Sequence, residues 1–186
     1  MTPQAGKIII LNGIGSAGKS SIARELQAIA RRPFLHVEMD KFLDMLPPAC
    51  FGSPEGLVFS PVPGRSPPEI AIHSGPVVLR LLDGMRAAVA ALARAGNDVI
   101  LDDVILDGEP EAYRAAFAGL TVHWVGVQVA LDVAEARERI RGDREIGLAR
   151  WQHDKVHRGM TYDLTVDSGS ETMHACAEVI CRALDL

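Results

Sequence analysis

The stretch Gly13-Ile14-Gly15-Ser16-Ala17-Gly18-Lys19-Ser20 restricts the fold of this chain more than any other. It follows the apolar run Ile8-Ile9-Ile10-Leu11 and opens a segment, 21–31, in which Ile22, Leu26 and Ile29 recur at helical spacing. This is a G-x-x-x-x-G-K-[ST] loop in its required strand–loop–helix setting. The glycines let the backbone turn tightly, so successive N–H groups converge on a phosphate chain at the positive end of the next helix. Lys19 would reach the terminal phosphates and Ser20 would offer its hydroxyl to magnesium. The loop from Gly13 through Ile14, Gly15, Ser16, Ala17, Gly18, Lys19 and Ser20 to Ser21 is therefore expected to hold a nucleoside triphosphate. Gly13, Gly15 and Gly18 also satisfy G-x-G-x-x-G, with Glu38 lying 20 residues beyond Gly18, as in an NAD-binding Rossmann enzyme. Gly-Lys-Ser adds a charge and a metal-binding hydroxyl that a dinucleotide fingerprint does not need, which favours the triphosphate.

Length and charge narrow the partners. The 186 residues suit one domain over 1–186 with a sizeable core, and a formal charge of −5 argues against a general nucleic-acid binder. No apolar run reaches the roughly 18 residues needed to cross a bilayer. Met1 to Lys7 lacks the form of a signal peptide, so no membrane partner and a cytoplasmic location are expected. Cys50, Cys176 and Cys181 form no C-x-x-C pair and read as free thiols. Nothing in the sequence fixes the oligomeric state.

Downstream of the loop, Phe34 to Met39 reads as a second strand closing on Asp40. A carboxylate just past a strand's carboxyl end is placed for chemistry, or to cap a helix over Lys41 to Leu46. Residues 47–76 hold 8 of the 11 prolines and four glycines, so they read as an irregular segment on the substrate side. Its Phe51, Leu57, Val58, Phe59 and Val62 would wall an acceptor pocket, the alternative being a mobile surface insertion. Val77 to Ala95 reads as an amphipathic helix, and Asp98 to Val104 as a buried strand carrying Asp102 and Asp103. One of these two aspartates would serve magnesium.

Residues 122–129 supply a fourth strand, 162–167 a fifth, and 171–186 a closing helix. Between Arg137 and Arg158 seven basic residues stand against four acidic ones, a local balance of +3 in an acidic protein. A lid over 141–159 would bring arginines, Arg141 and Arg144 first, onto a transferred phosphoryl group. The alternative is a solvated helix face with Arg–Glu pairs. His153 and His157 stand at i, i+4, but no third metal ligand accompanies them, so they read as polar lid residues.

Strands alternating with helices, the strands nearly continuously apolar, describe an α/β three-layer sandwich with a five-stranded parallel sheet. With these residues in view the chain resembles the chloramphenicol phosphotransferase family of phosphate-loop kinases. The resemblance rests on Ile9-Ile10-Leu11-Asn12-Gly13 leading into Ser16 to Ser20, on Met39-Asp40 with Leu43 and Met45-Leu46-Pro47, and on Ile100-Leu101-Asp102-Asp103-Val104. Trp124 to Val127, Arg141-Gly142-Asp143-Arg144, His157 and Tyr162-Asp163 extend it over most of the length. It implies an adenylate-kinase-like fold with a helical lid, and transfer of the γ-phosphoryl of ATP to a primary hydroxyl of the antibiotic. It also implies Asp40 as general base, with Lys19, Arg141 and Arg144 neutralising the transferred group. The run Pro61 to Pro68 departs from the family pattern, which leaves another hydroxylated metabolite as the alternative acceptor. Outside that class stand a nucleotide-binding regulatory protein and the NAD-dependent enzyme.

Overall fold

The computed structural model describes residues 4–106, 110–142 and 145–186. Five strands, β1 (Lys7–Asn12), β2 (Phe34–Glu38), β5 (Asp98–Asp103), β6 (Thr121–Gln128) and β7 (Leu164–Asp167), form one parallel sheet in the order β2-β5-β1-β6-β7. The remaining two, β3 (Leu57–Pro61) and β4 (Ile70–Ser74), pair antiparallel as a separate hairpin.

The period of two along β1 builds two cores. Ile9 and Leu11 pack with Ile22 and Leu26 of α1 (Lys19–Ile29) and Ala177 and Ile180 of α7 (Met173–Leu184). Ile8 and Ile10 pack on the opposite face with Met85 and Val89 of α3 (Pro76–Arg94) and Tyr113 of α4 (Pro110–Ala116). All four β1 residues are fully buried, which is why this strand reads as an unbroken apolar run. The three-layer sandwich with a five-stranded parallel sheet is therefore as expected.

Three local expectations change. The short helix after β2 is α2 (Met39–Leu43), which begins two residues earlier than expected, so Asp40 lies inside its first turn and Glu38 occupies the N-cap without a side-chain bond. Residues 47–76 are not irregular throughout. A 3₁₀ turn at Pro48–Cys50 precedes the β3–β4 hairpin, whose Leu57 joins Leu46 and Val78 in a small third core. The lid segment contains one short helix, α6 (Leu148–His153), following α5 (Leu131–Arg141). Arg144 lies outside the described residues.

Candidate active site

The loop after β1 has the shape an anion requires. Gly18 adopts φ 85° at the N-cap of α1, in the left-handed region that favours glycine. A Cβ at Gly13 would stand 2.6 Å from the Val127 carbonyl oxygen, so only glycine lets the loop lie against β6. Ser16 is held at φ 62° with its Oγ buried and unpartnered, a conformation most side chains avoid. Lys19 is buried and donates to the Ile14 carbonyl at 3.0 Å. Orphaned Ser16 Oγ, a glycine-shaped cradle and a buried ammonium together fit a polyphosphate.

Sheet pleating separates the two aspartates. On β5, Asp102 shares the face of Ile100, towards α1, and Asp103 that of Leu101, towards α4. Ser20 Oγ donates to Asp102 Oδ2 at 2.5 Å, and Lys19 Nζ stands 3.7 Å from Asp102 Oδ1. Burial works to raise the Asp102 carboxyl, but Lys19, His36 and Ser20 outweigh it and hold the group below the usual carboxylate range. Asp103 instead accepts from the Tyr113 hydroxyl at 2.5 Å and from the Val104 amide at 2.7 Å. The Ser20–Asp102 pair supplies the hard oxygen donors that suit magnesium.

The segment expected as a lid is tied to this loop by groups that sequence reasoning passed over. Gln152 of α6 accepts the Gly15 N–H on its Oε1 at 2.8 Å. Glu138, buried on α5, accepts the Gly147 and Ala149 amides at 2.8 Å each and so anchors the start of α6. Its position between Arg137 and Arg139 carries no mark of burial. Asn12, fully buried at the end of β1, donates to the Val156 carbonyl at 2.9 Å and the Tyr162 hydroxyl at 2.8 Å, and accepts from the Ile105 amide at 2.8 Å. Burial pushes the Tyr162 hydroxyl up to about 12, against the Asn12 bond, and its oxygen lies 2.7 Å from His157 Nδ1. Burial, His153 and Lys19 lower the His157 imidazole.

One cleft joins the pieces. Gly15, Lys19, Ser20, Asp102 and Asp40 line it together with Arg141 and with Leu57, Phe59 and Ile72 of the hairpin. A contiguous opening, which shares Ser21, adds Lys41 and Phe51. Of the expected site residues, Gly13 and Ala17 shape the loop without lining this cleft, and Ile14 takes part through its carbonyl. The expected lid histidines bond locally, His157 to Tyr162 and His153 to Asp154 at 3.2 Å. Among the described residues no helix is long and apolar enough to cross a membrane.

Comparison with known proteins places the chain in a family and a fold. The family model described as "Chloramphenicol phosphotransferase-like protein" matches residues 6–185. A Mycobacterium tuberculosis protein, provisionally named an O-phosphotransferase in strains CDC 1551 / Oshkosh and H37Rv, is 34% identical over 179 residues, covering 92% of this chain and 79% of its own. Among solved structures, the M. tuberculosis APS kinase CysC in complex with AMPPNP and APS superposes with a TM-score of 0.69 at 17% identity, over 99% of this chain and 100% of that one. The Deinococcus radiodurans tunicamycin resistance protein gives 0.67 at 20% identity, over 97% and 96%. At those identities the structural likeness speaks for a shared fold.

Proposed function

The chain belongs to the chloramphenicol phosphotransferase-like family, and on that premise we propose that it transfers the γ-phosphoryl of ATP to a hydroxyl of chloramphenicol or a related hydroxylated small molecule, inactivating it. The observation that carries this reading is the shared cleft, in which the phosphate loop, Asp40 and the apolar hairpin face one space.

In this account Asp40 accepts the proton of the acceptor hydroxyl as its oxygen attacks the γ-phosphorus in line, and the bond to the β–γ bridging oxygen breaks to release ADP. Lys19 leaves the Ile14 carbonyl for the phosphates, and Gln152 releases the Gly15 amide to a phosphate oxygen. Ser20 and Asp102 hold the magnesium, while Asp103 keeps Tyr113 and the end of β5 in place. Magnesium, when bound, neutralises charge on the phosphate chain. Arg141 from the lid rim, with Arg144 beside it in sequence, supplies further donors to the transferred group. Leu57, Phe59 and Ile72 give the acceptor an apolar wall and keep water from the phosphoryl group.

Mass spectrometry of reactions containing ATP, magnesium and each of a panel of hydroxylated acceptors, chloramphenicol first, tests the reading. One added phosphoryl group on an acceptor supports it. Background product across the panel, with ATP bound normally, would favour a nucleotide-binding regulator, and tight NAD binding without ATP binding a dinucleotide enzyme.

A further inference from the structure

Beside the Ser20–Asp102 pair lie two donors, His36 and Glu38, that the transfer reaction as described does not use. Glu38 stands directly opposite Asp102 in the β2–β5 register, and His36 lies two residues back on the same face of β2. Sheet geometry alone thus brings an imidazole and two carboxylates together. One donor atom from each of His36, Glu38 and Asp102 falls within 4.8 Å of the others. The His36 side chain is only 8% exposed, yet its Nε2 is buried without a hydrogen-bond partner. It points at Asp102 Oδ2 from 3.6 Å, too far for a hydrogen bond. A buried imidazole nitrogen normally finds a partner.

We infer that His36 Nε2, Glu38 and Asp102 Oδ2, with the Ser20 hydroxyl beside them, form a site for a divalent first-row transition ion that binds before nucleotide. Two donors each about 2.1 Å from one ion lie at most about 4.2 Å apart, so the three atoms need to close by less than about 1 Å. Lys19 sits on the Oδ1 side of Asp102 and leaves Oδ2 to the ion. Glu38 and Asp102 against Lys19 leave a net negative charge to attract it. Magnesium prefers oxygen donors and sheds water reluctantly, whereas an imidazole suits iron and the later first-row ions, and Mn²⁺, the weakest binder of that series, is their paramagnetic probe. The ion's part in phosphoryl transfer rests on the reading above; its binding to the free protein does not.

Titration of the full, chelator-treated chain with Mn²⁺ in the absence of nucleotide, followed by electron paramagnetic resonance, tests this. The expected result is one bound Mn²⁺ with a pulsed-resonance coupling to an imidazole nitrogen, displaced by Mg²⁺ only in large excess. His36→Ala removes the nitrogen coupling and weakens binding at least about tenfold, and Glu38→Gln weakens it while the coupling stays. Thermal melting and ATP binding of both variants show that they are folded. Binding without nitrogen coupling, equal affinity in His36→Ala, or no Mn²⁺ binding while ATP binds normally would each overturn the site and leave the kinase reading standing. A folded wild type that binds neither Mn²⁺ nor ATP would overturn both.

Discussion

Asn12 is the residue on which the site's two halves meet. Its amide is satisfied on both ends, by the Ile105 N–H from the β5 side and by Val156 and Tyr162 from the lid side. Asn12→Leu keeps the branched outline but adds bulk, strands the buried Ile105 N–H and takes the shorter bond from the Val156 carbonyl, at about 1–3 kcal/mol each. For a chain of this size about 2–4 °C of melting temperature follows each kcal/mol. Asn12→Leu is therefore expected to lower Tm by upward of about 5 °C in a thermal melt, and an unchanged Tm would remove Asn12 from this role. At this scale the shape of the loop after β1 was readable, because Gly13 and Gly18 act through local geometry. The division of labour between Asp102 and Asp103 was not, since it depends on which face of β5 meets α1.

Among the elements, α6 has little support of its own. It has only six residues, too few for an isolated helix, and its N-terminal amides are bonded by Glu138 across from α5. Charge-assisted bonds of this kind contribute about 1.5–3 kcal/mol each. Glu138→Ala is expected to raise hydrogen exchange in α6 at least about tenfold over wild type, with β1 unaffected, and equal protection would contradict the anchoring. Leu57-Val58-Phe59-Ser60 and Ile70-Ala71-Ile72-His73 each have strand character, but eight prolines and four glycines around them spoke for irregular structure. Pro61 is tolerated because it ends a strand of a two-stranded ribbon. The hairpin's apolar face was anticipated as a pocket wall; its pairing was not, because it depends on the hairpin docking over Leu46 and Val78.

Across the whole molecule, burial of histidines couples stability to pH. His157, facing Tyr162 with His153 and Lys19 near, and His123 are both lowered from 6.5, chiefly by burial. As pH falls below about 6.5 the unfolded chain takes up protons that the folded one refuses, so stability is lost on the acid side and complete above it. The exposed His174, raised by Glu25, acts in the opposite sense. A Tm falling by a few degrees between about pH 7.5 and pH 5.5, and falling less in His157→Asn, is expected; a steeper fall in the variant would contradict this. The central claim joins both sides of the cleft, a loop that grips ATP and a carboxylate on α2 that readies the acceptor. Its most direct test is the split between ATP affinity and turnover in Asp40→Asn, measured with the acceptor that the product assay identifies. The account predicts ATP affinity within about twofold of wild type and kcat lower by about 10²–10⁴-fold. Turnover within twofold of wild type, or a loss wholly explained by weaker ATP binding, would contradict it.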